Sequence, residues 1–319
     1  MDASERELFA HAIRRATEDR SGVDLDEALD ELGWVAALAE DRAAAVAILF
    51  EAQGEANATS SALDQVIFAA LGVPGLDPAS VVLPPLRSVQ APGRFDGARV
   101  VIQGLGTDAL ARGDTVIIVA RGDAGDEMLV APVSALKVEE ISGLDAALGL
   151  VAVSGELERA SPPAAALIDW GAALAAGQLA LGHELVGNGR AMLELARQHA
   201  LERTQFGRPI AAFQAVRHRL AESLVALEAA AALLNAASDD SSPVTAAMAK
   251  ALAGRSARTV ARHCQQVLAG IGFTTEHSLH RFVRRTYVLD QLLGAGSVLT
   301  RHLGTEVLAA GSLPAAFPL

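Results

Sequence analysis

One stretch of the chain gathers residue types suited to gripping a phosphate and a nucleotide. Arg203, Gln205, Phe206 and Gln214 lie close together around Gly207 and Pro209. An arginine keeps its charge and offers a fork of donors, an aromatic ring offers a stacking face, and an amide offers a donor and an acceptor. A second stretch, Gln266-Val267-Leu268-Ala269-Gly270-Ile271-Gly272-Phe273-Thr274-Thr275-Glu276, has comparable potential. Gly270 and Gly272 allow backbone to approach a ligand closely, and Gln266 can hydrogen-bond a phosphate or a ribose. Both stretches also have an ordinary structural explanation. The first fits a helix hairpin with Phe206 in the core and Arg203 solvated, and the second a helix C-cap followed by a tight turn.

Other constellations are weaker. His277 and His280 are spaced to share a metal on a helix, but no third ligand has convincing spacing. Cys264 and His263 are adjacent, so on a helix they point to different faces. Gly104-Leu105-Gly106-Thr107-Asp108-Ala109 superficially fits a dinucleotide fingerprint, but only Leu110 to Arg112 intervene before Gly113-Asp114 and the next strand-like run. The long helix that would face phosphates is missing, so a β-turn is expected.

The elements that must position these residues follow from periodicity. Leu181, Leu185, Met192, Ala196 and Ala200 form one helical stripe, and Val216, Leu220, Leu224, Leu227, Ala231 and Leu234 form another. Gly207 and Pro209 separate them, so two long helices meet at a tight corner. Residues 4 to about 72 read as helices, with Asp24-Leu25-Asp26-Glu27 in a first turn and a break at Gly54 and Ala56-Asn57-Ala58. Short runs rich in Val, Ile and Leu between Val81 and Val153 predict a small β domain of about five or six strands. Helix resumes from Ala160. A loop at Ser238–Pro243, with Ser242 as N-cap and Pro243 in the first turn, precedes a helix to about Leu268. Helices near His277–Leu292 and Val298–Ala309 follow, with an extended tail from Gly311.

The chain has 319 residues, half of them apolar but only 4% aromatic, so its core is Ala, Leu and Val. A net charge of -12 and the lack of a basic stripe argue against nucleic acid. The single cysteine excludes an internal disulfide framework and is compatible with a cytoplasmic location. The first twenty residues are charged and unlike a signal peptide. The longest apolar run, Ala43–Phe50, is too short to span a membrane.

Arg203-x-x-Phe206-Gly207-x-Pro209-Ile210-x-x-x-Gln214 resembles the corner in the C-terminal helical domain of the acyl-CoA dehydrogenases. The stretch from Gln266 resembles that family's Q-x-x-G-G-x-G-[FY] segment, with Ala269 in place of the first glycine, and Arg281-Phe282-Val283-Arg284 is also similar. The resemblance covers about residues 160–302; the rest matches in domain order. It implies a mostly α fold with a small central β domain: a shortened helical domain over 1–80, a reduced β domain over 81–157 and a helical bundle over 158–319. In the family, the corner reaches across a dimer interface to the pyrophosphate and adenosine of FAD bound by the neighbouring subunit. The resemblance therefore assigns Arg203, Gln205, Phe206, Gln214, Gln266, Gly270 and Gly272 to FAD.

The family oxidises an acyl-CoA between its α and β carbons: a carboxylate removes the α proton, and FAD takes the β hydride. The base commonly sits in a Tyr-Glu-Gly-Thr-like turn, which here reads Leu292-Leu293-Gly294-Ala295-Gly296-Ser297, with Leu293 or Gly294 at the Glu position. Other members carry the base on the helix before the corner, at the position of Gly177, followed by Gln178. None of these side chains can take a proton. Asp290 is expected to point elsewhere, and Glu184 to lie at the surface or an interface. The strands that hold the flavin ring and thioester have no counterpart between Val81 and Leu157, and no tryptophan occurs between Trp34 and Trp170. No catalytic residue is assigned.

The chain is thus similar to the short, base-less subunits of heteromeric α2β2 actinobacterial steroid-degrading acyl-CoA dehydrogenases. That resemblance implies a homologous full-length partner supplying the base and flavin-ring site, shared FAD at half the usual complement, a bulky acyl-CoA substrate and electron-transfer flavoprotein as acceptor. Two alternatives are a self-sufficient homomeric flavoenzyme with Glu184 or Asp290 as a displaced base, and a non-catalytic scaffold without FAD.

Overall fold

The computed structural model describes residues 1–73, 80–123, 125–158, 168–240 and 242–311. Helix α1 (Ala3–Asp19) starts at a capping box, in which the Asp2 carboxylate accepts from the Glu5 N–H and Glu5 reaches back to the Asp2 N–H. Helices α2 (Val23–Glu31), α3 (Trp34–Glu40), α4 (Arg42–Ala56) and α5 (Ala62–Leu71) follow. Asp24 and Asp26 occupy the first turn of α2, where acids suit the helix dipole.

The expected break at Gly54 does not occur; α4 runs through it to Ala56. Gly54 serves packing instead. A Cβ there would lie 2.2 Å from the Glu184 carbonyl oxygen, and one on Gly187 would lie 2.1 Å from that of Glu51. The two glycines let α4 lie backbone to backbone on α6 (Trp170–Glu202).

The middle layer is a seven-stranded mixed sheet. Its strands are β1 (Ser80–Val81), β2 (Gly93–Asp96), β3 (Arg99–Gly106), β4 (Thr115–Gly122), β5 (Gly125–Pro132), β6 (Lys137–Glu140) and β7 (Val151–Glu158). Strand β4 pairs antiparallel with β5 and parallel with β1 and β2; β2–β3, β3–β7 and β7–β6 are antiparallel. The strands beyond those expected are β2 and β6, whose sequences GRFD and KVEE carry no apolar run. After Gly106 the chain makes a single 3-10 turn over Asp108–Ala111 and enters β4, so no phosphate-facing helix follows the glycines.

In the C-terminal layer α6 starts at Trp170, capped by the Asp169 carboxylate on the Ala172 N–H; the helix expected from Ala160 falls on residues 159–167, outside the described residues. A short hairpin, β8 (Thr204–Gln205) with β9 (Arg208–Pro209), leads into α7 (Gln214–Asp240). Helix α7 absorbs Ser238 to Asp240, so the loop before α8 (Pro243–Leu268) is shorter than expected. Ser242 precedes the first-turn proline without a capping bond. Helices α9 (Leu279–Gln291) and α10 (Gly296–Ala310) complete the layer, and the tail expected to be extended lies outside the described residues.

All five residues of the first stripe are buried. On α7, Leu227, Ala231 and Leu234 are buried, whereas Leu224 is 50% and Val225 68% exposed. By length and apolar content α7 could cross a membrane, but Ser223, Leu227, Ala230, Leu234 and Ala237 seat it in the bundle.

Arg285 of α9 ties the layers together. Fully buried, it donates to the Ala58 carbonyl (2.7 Å) and Thr59 Oγ1 (3.1 Å), pairs with the Asp145 carboxylate, and lies 3.5 Å from Glu184 Oε1. Thr59 Oγ1 in turn donates to the Ala147 carbonyl at 3.1 Å.

Candidate functional site

The corner is built by local chain chemistry. Helix α6 ends at Glu202, and the Arg203 N–H closes it onto the His199 carbonyl. The β8–β9 hairpin leaves two turn residues, Phe206 at φ 53° and Gly207 at φ 77°. Two successive left-handed residues match the twist of a tight hairpin; glycine takes that conformation freely and phenylalanine does not. The turn carries Phe206 outward, to 91% exposure, so the core-packed alternative does not hold. Its ring meets Phe213 edge-on at 6.1 Å, and the Arg208 guanidinium covers the face of Phe213 at 4.4 Å. The Ile210 N–H donates to the Arg203 carbonyl at 2.8 Å and closes the base of the hairpin. Arg203, Gln205 and Gln214 are all exposed.

The second stretch projects from the same end of the bundle. Gln266 is exposed in the last turn of α8. Ala269 adopts φ 53°, a left-handed conformation that favours glycine, at the position where the related motif carries its first glycine. Gly270 is exposed, with no atom within 4 Å of where a Cβ would stand. Gly272 faces inward: a Cβ there would lie 2.9 Å from the Leu268 Cβ, so this glycine allows the turn to pack on α8. Ile210 and Ala211 of the corner rest on the same apolar cluster as Val267, Leu268, Leu279 and Val283. Partial burial, with the neighbouring charges of His277 and Arg203, holds the His199 imidazole below its ordinary pKa.

Phe273, not among the residues singled out in the sequence, stands near this stretch's surface. It is 71% exposed beside Gly270, and the aromatic that ends the motif was the signal for it.

The histidines and the cysteine have structural roles. His277 Nδ1 accepts from the Leu279 N–H, and His280 Nδ1 donates to the His277 carbonyl. Among the described residues no cluster of His, Cys, Asp or Glu could hold a metal. Burial pushes the Cys264 thiol up to about 12, far from a reactive thiolate.

At the other end of α6, the two positions that could carry a base meet each other. A Cβ on Gly177 would lie 2.5 Å from Leu293 Cδ1 and 3.1 Å from Ile67 Cγ1. Leu293 has no exposure and fills this space. Gln178 donates through Nε2 to the Leu293 carbonyl at 2.9 Å.

The two acids weighed as displaced bases are engaged in other contacts. Asp290, 1% exposed, is paired with Arg258 and accepts from the Gly296 N–H, which turns it away from Gly177 as expected. Glu184 is not at the surface: it is 2% exposed, pressed between α4 and Arg285. Burial raises its pKa to about 6, and Arg285 opposes that rise.

Residues 170–308 match the family described as acyl-CoA dehydrogenase, C-terminal domain. The fold of nearly the whole chain is that of acyl-CoA dehydrogenases. It superposes on a variant of the Tcur3481–Tcur3483 steroid ACAD with a TM-score of 0.77, 20% identity, and coverage of 97% of this chain and 98% of that one. The ChsE4–ChsE5 complex from Mycobacterium tuberculosis gives a TM-score of 0.78 at 18% identity, with coverage of 97% and 98%.

Among curated relatives, acyl-CoA dehydrogenase IpdE2 of Mycobacterium tuberculosis is 36% identical over 127 residues, which cover 40% of this chain and 40% of the relative. Acyl-CoA dehydrogenase FadE34 of the same organism is 37% identical over 138 residues, 41% of this chain and 19% of the relative. The match thus spans well under half the length of either relative.

Proposed function

We propose that this chain is the base-less subunit of a heteromeric FAD-dependent acyl-CoA dehydrogenase. In this reading it grips the adenosine and pyrophosphate of FAD held by a homologous partner, and the partner supplies the base and the flavin-ring site. One juxtaposition carries the reading: an exposed Arg–aromatic–amide corner stands at one end of α6, while at the other end both base positions, Gly177 and Leu293, are apolar and packed together. The corner fits the cofactor on chemical grounds. Arg203 offers a bidentate cation to a pyrophosphate, Phe206 and Phe273 offer faces to an adenine, and Gln205, Gln214 and Gln266 offer amides to phosphate or ribose. Gly270 leaves backbone open to approach, and Gly272 acts through the turn it permits. FAD supplies the redox chemistry, and this chain's residues bind and orient its distal half.

Fold neighbours that include a steroid ACAD and a two-component complex support a bulky polycyclic acyl-CoA and an α2β2 assembly. The exposed Leu224 and Val225 on α7 suit a subunit contact. A cytoplasmic location and electron-transfer flavoprotein as acceptor belong to the same reading. A self-sufficient enzyme would need a base, and Glu184, clamped beside Arg285 and fully buried, is badly placed to serve.

The test is flavin content. Alone, the chain is expected to purify colourless; co-expressed with a full-length homologue, the complex should be yellow, and Arg203→Ala should lower its flavin content at least several-fold. Dehydrogenase activity from the chain alone, or flavin retention indifferent to Arg203→Ala, overturns the proposal.

A further inference from the structure

A cleft of about 460 Å³ lies between the N-terminal helices and the sheet. It is lined by Asp26 of α2, Ser61 and Asp64 at the start of α5, Ser80 of β1, and Arg112 and Asp114 ahead of β4, none of which belongs to the corner or to the Gly177 contact. Asp26 is satisfied: Arg112 Nη2 donates to its Oδ2 and the Ser61 N–H to its Oδ1, each at 2.7 Å. Asp64 is not. It is 2% exposed, and its Oδ2 accepts from the Thr107 hydroxyl at 2.7 Å, but among the described residues its Oδ1 has no hydrogen-bond partner. A buried carboxylate oxygen without a donor is costly, and in the wall of a cleft a ligand's donor can meet it.

The charges around Asp64 are unbalanced. Asp26 comes from α2, Asp108 from the 3-10 turn and Asp114 from the segment before β4. Against them stands Arg112, already held by Asp26 and 3.5 Å from Asp108. Burial pushes the Asp64 pKa up to about 7; Asp26 and Asp108 add to the rise, and the Thr107 hydroxyl and the Val81 N–H oppose it. A cleft lined by one sign of charge concentrates ions of the other. The space far exceeds the roughly 30 Å³ of a single water. Among the described residues no group of acids could hold a metal, so the chemistry that fits is an organic cation with N–H donors.

We propose that this cleft binds a small organic ammonium ion, with Asp64 Oδ1 accepting from the ammonium group and Asp114 adding charge. Such binding requires neither FAD nor a partner subunit.

Calorimetric titration of the full chain tests this. At about pH 8, 1,4-diaminobutane should bind saturably at a single site, and butane-1,4-diol, of the same length but uncharged, should not. Asp64→Asn keeps an acceptor for Thr107 but removes the charge, and should weaken diamine binding at least about ten-fold. From about pH 8 to about pH 6 Asp64 takes up a proton, so wild-type affinity should fall about ten-fold, and Asp64→Asn should lose that dependence. Arg112→Gln removes the competing cation from a half-exposed ion pair, so binding should tighten by about three-fold or more. If Asp64→Asn does not fold, Arg112→Gln and Asp114→Asn decide, the first tightening and the second weakening the diamine. Absence of saturable binding, equal binding of the diol, or an affinity indifferent to Asp64→Asn refutes the proposal; so does indifference to both Arg112→Gln and Asp114→Asn. Diffuse attraction of a diamine to the acidic surface would give that indifference.

Discussion

Arg285→Met should be among the most damaging single substitutions in the chain, and its damage should depend on pH. Arg285 is fully buried and faces two carboxylates that are nearly as buried: Asp145 at 8% and Glu184 at 2% side-chain exposure. Methionine fills much of the volume but leaves both acids without their cation and the Ala58 carbonyl without its 2.7 Å donor. Removing one partner of a buried ion pair costs about 3–5 kcal/mol, chiefly because the other charge remains buried. For a chain of this size the melting temperature should fall by about 5–10 °C.

The pH signature follows from Glu184. Burial raises its folded pKa to about 6, above the ordinary 4.5, so the folded state prefers the protonated acid. The stability this gives is complete at low pH and is lost as pH rises from about 4.5 through 6. Arg285 opposes the rise; without it the folded pKa moves further up and the loss extends to higher pH. The variant's deficit should therefore be smallest near pH 5 and largest above about pH 7, as measured by calorimetry across that range. A melting shift under about 2 °C at pH 8, or an equal deficit at pH 5 and pH 8, would refute the argument.

Two further tests separate neighbouring effects. Burial lowers the Lys250 pKa from 10.5 to about 7, so the unfolded chain holds more protons between those values and wild-type stability should gain a few kcal/mol as pH rises from 7 to 10; Lys250→Met should abolish that slope in denaturant titrations. Phe206→Gly relieves the φ of 53° at the hairpin, so the isolated chain should be unchanged or about 1 kcal/mol more stable, while flavin retention by the complex should fall.

Period and composition made much of the fold legible. The α6 stripe from Leu181 to Ala200 was readable because one helix face is buried along its whole length. The corner residues were readable because they are neighbours in sequence and share one turn. What the sequence concealed depends on contacts between distant segments. Gly54 looked like a helix break because nothing local announces that the Glu184 carbonyl lies against it. Glu184 looked like a surface acid because its cation, Arg285, is supplied by another helix. Strands β2 and β6 have no apolar run to betray them; they are held by the backbone ladders of β3, β4 and β7. The contact at Gly177 was half legible: that Gly177 and Leu293 cannot take a proton is plain in the sequence, but not that Leu293 fills the space above Gly177.

Distance separates the apolar contact at Gly177 from the polar corner at Arg203. Gly177 and Arg203 lie towards opposite ends of α6, and at the helical rise of about 1.5 Å per residue they stand about 39 Å apart. No single packing change could remove one and preserve the other as a side effect. Each end carries its own cost. At the Gly177 end, a leucine at φ 52° packs against Gly177 beside Ile67. At the Arg203 end, Phe206 and Phe273 are left in water at 91% and 71% exposure, in a company of arginine and amides that resembles the chemistry of an interface more than that of a core. Within the proposed function, the two ends of α6 differ in what they offer: the Gly177 end is packed with apolar side chains, and the Arg203 end presents polar and aromatic groups to a partner's cofactor.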